Sequence, residues 1–272
     1  MYNKKKKMMT EKRSLMKPNA SRLIQSIERA VDILNCFELH HSRLTLGEIS
    51  RQTGLNINTV RGLVNTLAAR GLVTHDESTN TYRLGYYFMG RAKIIQSEID
   101  TYINLCRSAI DELADTYSIT ASIQMVQQDN IETVYCAYPR HAAYYIILSD
   151  YNDLPKHAMA SGLLLLAHSD PSDEALEALS FHPFTPHTLQ NAADLKKRLV
   201  QIRLDGYSQE IEEFALDVGS IAVPIFDPFQ GQLIMTVSCT FFVKNLDRIK
   251  TDVLRDLQTI AHNVMTRLRA GV

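Results

Sequence analysis

Apolar positions recur three and four apart through the first 117 residues of this chain, then switch to every second position at Ile119, a change from helical to extended periodicity. Residues 22–37 carry Ile24, Ile27, Val31 and Leu34 as one stripe, with Ser21 or Ser26 as cap. The spacing predicts a helix packed beneath the next two helices of the chain. LTLGEISRQTG predicts a short amphipathic helix with Leu46 and Ile49 inward, and Gly54 can take the positive φ that closes it. In INTVRGLVNTL, residues 57–67, the side chains of Ile57, Val60, Leu63, Val64 and Leu67 share a face, and Asn56 or Asn58 can cap the helix. The opposite face shows Asn58, Thr59, Arg61, Asn65 and Thr66, short hydrogen-bonding groups and one guanidinium that suit base edges and phosphates. Residues 73–84 read as a β-hairpin with a polar tip from Asp76 to Asn80. Two helices about a tight turn, then a hairpin, make a winged helix-turn-helix. A plain helical hairpin without DNA contact is the alternative, and the hairpin weighs against it.

Residues 85–97 predict a linker helix, with Phe88, Ala92 and Ile95 on one side and Tyr87, Arg91 and Ile94 round the next. A linker this apolar needs a partner, and a second subunit is the natural one. Residues 101–117 form a further helix. Strands come next at 119–127, 131–137 and 143–148, then helices at 156–168, 173–180 and 192–204. Strands at 207–211, 220–226 and 232–242 lead to a closing helix at 247–268. Mixed strands flanked by helices indicate an α+β sensor domain. The organisation expected is a disordered basic arm over 1–20, a winged helix-turn-helix over 21–85, a linker helix over 86–99 and an effector-binding domain over 100–272.

Charge sharpens this division. The net charge of −1 hides a balance of +7 over residues 1–90 and −8 over the rest, the asymmetry expected when one end meets a polyanion. The arm holds Lys4 to Lys7, Lys12, Arg13 and Lys17; it either tracks phosphates non-specifically or is a solvated tail. Cys36, Cys106, Cys136 and Cys239 lack paired spacing and read as reduced thiols of a cytoplasmic protein. The longest aliphatic stretch, residues 162–167, falls far below the roughly 20 residues of a membrane span, and no signal peptide is expected.

The second domain has no G-x-S-x-G, phosphate loop, H-E-x-x-H or C-x-x-C, and His157, His168, His182 and His187 lack ligand spacing, so no metal and no cofactor is expected. Two stretches look like a small-molecule site. In LPKHAMASG, small residues at a helix start let a ligand approach the backbone, and free N–H groups there favour a carboxylate. Close packing on the sheet explains the same residues equally well. In the last strand Thr236, Ser238 and Thr240 alternate with apolar residues, a row of hydroxyls that lines a cavity if it faces inward and is an ordinary wet face if not. Between them GYSQEIEEF carries three carboxylates, ordinarily a solvated turn; one aimed inward could accept hydrogen bonds from ligand hydroxyls.

The chain resembles the IclR family of bacterial transcriptional regulators over residues 21–268. The matching pieces are SIERAVDILNCF, LTLGEISRQTGLNINTVRGLVNTLAARGLV and YRLG, then LPKHAMASG, FTPHTL, IRLDGYSQEIEEF, VGSIAVPIFD and TVSCT, in order and with near-family spacing. The resemblance implies a winged-helix DNA reader joined by a helix to a GAF-like effector domain. It also implies dimers, often tetramers, operators near catabolic genes, and control by an organic, aromatic or sugar acid. Carried over by position, the family's effector pocket falls at Ala160, Ser161, Glu210, Ser220, Ser238 and Thr240. Three positions depart from the family. A familiar recognition-helix arginine is Gly62, a pocket cysteine is Ser220, and a pocket aspartate is Glu210.

The expectation is therefore a cytoplasmic, sequence-specific regulator, a repressor of a catabolic operon on double-stranded DNA. Asn58, Thr59, Arg61, Asn65 and Thr66 would face the major groove, and Arg51, Arg70 and Arg83 the phosphates or the wing. The alternative is an enzyme acting on a small acid, with the first domain an oligomerisation module. A third reading is an architectural DNA binder with no effector.

Overall fold

The computed structural model describes residues 23–38, 40–127, 129–147 and 155–271. The arm, Ser21 and Arg22 lie outside them. The chain divides into two compact units that meet in sequence at Glu98 and Ile99.

The first unit holds α1 (Gln25–Leu34), α2 (Leu46–Thr53), α3 (Ile57–Ala69) and a hairpin of β1 (Val73–Asp76) and β2 (Thr81–Leu84). Its core is Ile33, Leu44, Ile49, Val60, Val64, Leu67, Val73 and Tyr82. Thr45 opens α2 with a capping box: its hydroxyl accepts from Glu48 N at 3.3 Å, and Glu48 Oε2 accepts from Thr45 N at 2.8 Å. Gly54 closes α2 at φ 72°. Asn56, not Asn58, caps α3, its Oδ1 accepting from Asn58 N at 2.9 Å. The wing is anchored twice. Leu44 and Tyr82 exchange backbone hydrogen bonds of 2.9 and 2.7 Å, and Arg43 Nη1 donates to Asp76 Oδ2 at 2.7 Å.

Three of the four residues in the stripe expected to pack α1 face away from the core, and only Leu34 packs against it. Ile24, Ile27 and Val31 are 62%, 59% and 47% exposed, while Ile33 is buried, with Ala30 and Leu34 beside it. The helix has two apolar faces, and the one against the core is Ala30, Ile33 and Leu34. Ser26 lies inside the helix, and the N-cap is Ile24 without a side-chain hydrogen bond.

The two helices expected over 85–97 and 101–117 are one, α4 (Tyr87–Tyr117), of 31 residues. Glu98-Ile99-Asp100 contains neither glycine nor proline, so nothing interrupts the backbone ladder.

The second unit is a five-stranded antiparallel sheet in the order β4 (Asn130–Ala137), β3 (Thr120–Gln127), β7 (Leu233–Phe242), β6 (Val218–Phe226), β5 (Ser208–Ile211). The later half of α4, through Ile103, Ile110 and Leu113, and the closing helix α8 (Leu246–Ala270), through Ile249, Val253 and Leu257, cover one face at Ile123, Ile221, Val237 and Phe241. Burying one such aliphatic side chain contributes about 1.5–3 kcal/mol. The opposite face meets α5 (Ala160–His168), backed by α6 (Asp173–Glu177) and α7 (Ala192–Asp205), through Leu163, Leu164, Leu195, Leu199 and Ala222.

Two expectations change here. Residues 143–147 form no strand, and Leu148 lies outside the described residues; the Ile146 carbonyl instead accepts from Thr120 Oγ1 at 2.5 Å. The helix expected over 156–168 is broken. Residues 156–158 make a 3₁₀ turn, Met159 is extended at φ −135°, and α5 begins at Ala160.

Candidate functional site

On α3, Asn58, Arg61, Asn65 and Thr66 are exposed and Thr59 is half-buried, while Val60, Val64 and Leu67 are turned into the core. Capping by Asn56 uses the Asn58 backbone N–H and leaves the Asn58 side-chain amide outside the cap. Thr66 Oγ1 donates back to the Gly62 carbonyl at 3.0 Å, so its hydrogen is already used within the helix. Gly62 is exposed, and a Cβ there would meet nothing within 4 Å. Arg51 stands exposed in the last turn of α2, and Arg70 caps the end of α3. Arg83, on β2, lies 5.2 Å over the Tyr86 ring. Short polar side chains on α3, with arginines on α2, at the end of α3 and on β2, are groups that suit base edges and phosphates.

In the second unit the row of hydroxyls faces inward. Thr236, Ser238 and Thr240 are all buried, on the sheet face beneath α5. Register places Thr120, Thr240, Ser220 and Glu210 side by side across four strands, and Ser122, Ser238, Ala222 and Ser208 in the next row. The start of α5 sits on β5 and β6: Ser208 Oγ donates to the Ala160 carbonyl at 2.6 Å, and Ala160 N donates to Ser220 Oγ at 3.4 Å. Ser220 in turn donates to Glu210 Oε1 at 2.8 Å. Ala160, Ser161, Ser220, Glu210 and Thr240 thus gather at one place. Gly162 has a different reason: a Cβ there would lie 2.4 Å from the Lys156 carbonyl oxygen, so close packing explains it.

Ser238 belongs to a separate cluster. Ser122 and Ser238 hydroxyls lie 2.9 Å apart, Gln124 Nε2 donates to both at 2.8 and 2.9 Å, and Gln124 Oε1 accepts from Thr236 at 2.8 Å. That network is internally satisfied. Gln124, Ser122 and Thr120 on β3 were missed in the sequence, although TASIQMVQ alternates polar and apolar residues just as β7 does. Glu213 was also left aside. It is 5% exposed, its Oε1 is held by Arg198 at 2.9 Å, and its Oε2 is buried without a partner. Its N–H donates to Glu210 Oε2 at 3.1 Å. Burial pushes the Glu210 carboxyl up to about 7 against the hydrogen bonds from Ser220 and Glu213, and burial also raises Glu213. Of the three carboxylates expected in a solvated turn, two are therefore inside. Glu212 occupies the turn itself, at φ 57°.

Residues 101–266 match the family model described as the bacterial transcriptional regulator IclR C-terminal domain, and residues 26–77 match the IclR helix-turn-helix domain. The chain belongs to the IclR family. It is 28% identical over 228 residues to the HTH-type transcriptional regulator XynR of Escherichia coli, covering 83% of this chain and 89% of that one. A crystal structure from Silicibacter sp. TM1040, described as an IclR transcriptional regulator, superposes with a TM-score of 0.78 at 25% identity, covering 89% of this chain and 96% of that one. An IclR homologue from Microbacterium hydrocarbonoxydans, solved in complex with 4-hydroxybenzoate, shares the fold, with a TM-score of 0.70 at 21% identity, over 90% of this chain and 99% of that one.

Membership makes this IclR-family chain a DNA-binding transcriptional regulator and removes the enzyme reading: both family models and the relatives are regulators. Among the described residues no helix is long and apolar enough to cross a membrane, and no group of three acidic, histidine or cysteine side chains is placed to hold a metal. The family departures now have surroundings. Gly62 leaves open space on the exposed side of α3. Ser220 is the link between α5 and Glu210. The extra methylene of Glu210 carries a carboxylate to both Ser220 and the Glu213 backbone.

Proposed function

We propose that this chain represses a catabolic operon and releases it when a small organic, aromatic or sugar acid binds the second unit. In this reading residues 21–85 read the operator, 86–99 link, and 100–272 sense the acid. Asn58, Thr59, Arg61 and Asn65 take the major groove, with Thr66 available once it turns from Gly62, and Arg51, Arg70 and Arg83 take phosphates. The effector's carboxylate sits on the N–H groups at the start of α5, near Ala160 and Ser161. Its hydroxyl or carbonyl groups meet Glu210, Ser220 and Thr240, with Ser238 behind them. The observation that carries the effector half is the part-buried run from Ala160 N through Ser220 to Glu210, which joins a helix start without a side-chain cap to a buried carboxyl group. The 4-hydroxybenzoate complex of the Microbacterium homologue supports the acid class.

The working form is a dimer built through the first unit, with tetramers as the higher assembly that the family resemblance implies, acting in the cytoplasm where its DNA lies. Ile24, Ile27 and Val31 on α1 and Met89, Ile94 and Ile95 on α4 support a partner surface, since all are exposed in the single chain.

The test is fluorescence anisotropy of the full-length protein on DNA from upstream of its own gene, against scrambled DNA, over a salt series. Sequence-preferring binding that weakens steeply with salt is expected, as is release on adding glycolate, glycerate or 4-hydroxybenzoate. Equal binding to both DNAs, repeated on genome-selected fragments, would overturn the reader. Tight operator binding that no acid changes would overturn the sensor.

A further inference from the structure

We propose that the effector enters together with one proton, held on Glu210, whose carboxyl group donates a hydrogen bond to the bound acid. The inference rests on the reading of the α5 start as the effector site, and it adds a chemical requirement: the acid is best taken as a monoanion, against a neutral Glu210.

Geometry places the two carboxyl groups close together. Ala160 N donates to Ser220 Oγ at 3.4 Å and Ser220 donates to Glu210 Oε1 at 2.8 Å. A carboxylate seated on the α5 N–H groups therefore lies about two hydrogen-bond lengths from Glu210. Every element around Glu210 brings a group that fails to neutralise it. The loop after β5 brings Glu213, a second carboxylate, 5% exposed and with Oε2 unpartnered. Helix α7 brings Arg198, but its Nη2 is spent on Glu213 Oε1 at 2.9 Å and the Gln209 carbonyl at 2.6 Å. The 3₁₀ turn before α5 brings His157, 1% exposed with Nε2 unpartnered, and burial keeps it neutral. The loop at Thr185 and Thr188 spends its hydroxyls on the Glu212 and Glu213 carbonyls, and His187 pairs at 3.7 Å with Glu212. Strand β6 brings only the Ser220 hydroxyl.

Among the described residues the site holds two carboxylates against one guanidinium that is spent on Glu213 and Gln209, and the Lys156 ammonium beside α5 donates to the Asp129 carbonyl. Like charges this close in a buried site cannot all remain ionised. One proton from solvent on Glu210 removes one charge and creates a donor for the acid's hydroxyl or carbonyl oxygen, which reaches Glu210 while the carboxylate sits on the α5 N–H groups. The neutral carboxyl still accepts from Ser220 and from Glu213 N. Burial has prepared this, since it already holds Glu210 at about 7.

Titration calorimetry of the full-length protein with glycolate, glycerate and 4-hydroxybenzoate, in buffers of small and large ionisation enthalpy, tests it. For an acid that binds, uptake of close to one proton is expected at pH 8, with affinity falling about tenfold per pH unit above it. In Glu210→Gln the uptake should vanish and affinity should no longer follow pH, because an amide donates without titrating. Glu210→Asp should restore the uptake. Binding without proton uptake in the native protein, or uptake unchanged in Glu210→Gln, overturns the inference and leaves the effector site standing. If none of the three acids binds, the effector-site reading itself falls, and this inference with it.

Discussion

At the residue scale, the proposed reading of DNA by α3 turns on Arg61 and Gly62. Arg61 is an exposed guanidinium on the face proposed to meet DNA; Gly62, next in sequence, projects about 100° away round the helix. Arg61→Ala should cost about 1–3 kcal/mol of operator binding and relax preference at one base pair, measured by anisotropy on a panel of operator variants. An unchanged panel would mean that Arg61 does not reach a base. Gly62→Ala separates stability from reading. Its Cβ enters open space, and losing a mid-helix glycine should stabilise the first unit by about 1 kcal/mol in thermal unfolding. Ser238 makes a different test. Its hydroxyl is bound to Ser122 and Gln124, so Ser238→Ala leaves those buried groups short of partners and should destabilise the second unit by about 1–3 kcal/mol with no effector present. If chemical denaturation shows no loss, the hydroxyl serves a ligand and not the network.

At the scale of elements, period was legible and partnership was not. Helix and strand came from spacings of three to four and of two, and Gly54 and Asn56 marked a turn whose chemistry is local. The α1 stripe shows the limit. A stripe says which residues share a face; which face meets the core is decided by elements distant in sequence. The same holds for residues 143–147, whose pattern suits a strand but which find no edge to pair with. In the candidate site, Glu210 and Thr240 could be named from single stretches, whereas Ser220 came only from the family resemblance. The rows that join them to Thr120, and the network around Gln124, depend on the register of β3 against β7, which no single strand encodes. The outward stripe carries a prediction of its own. Ile24→Glu with Ile27→Glu removes two exposed apolar side chains and no core contact, so folding should be unaffected. If α1 meets a second subunit, sedimentation should show the variant dissociating at concentrations where the native protein is dimeric, and operator affinity should fall with it. A dimer of native strength would place the interface elsewhere.

For the molecule as a whole, the buried groups of the second unit set opposing demands on pH. Glu210, raised to about 7 from 4.5, binds a proton more readily folded than unfolded. Its stabilising contribution is fully present below about 4.5 and is lost as pH rises through 7, and Glu213 acts in the same direction. His157, lowered to about 4 from 6.5, does the reverse. It is buried neutral, so its contribution is present above 6.5 and is lost as pH falls through 4, with His168 on the same side. Each full shift is worth about 3 kcal/mol at most. Between pH 4.5 and 6.5 the acid and histidine slopes oppose each other, and the native protein should show a nearly level stability. Glu210→Gln removes one side of the balance. Its stability in urea should fall as pH drops from 6.5 to 4.5, where the native curve stays level, and it should lose the native decline between 6.5 and 7.5. A variant whose curve runs parallel to the native one across the whole range would show that Glu210 stays ionised in the fold. Arg198 would then be acting on both carboxylates from its single position on α7.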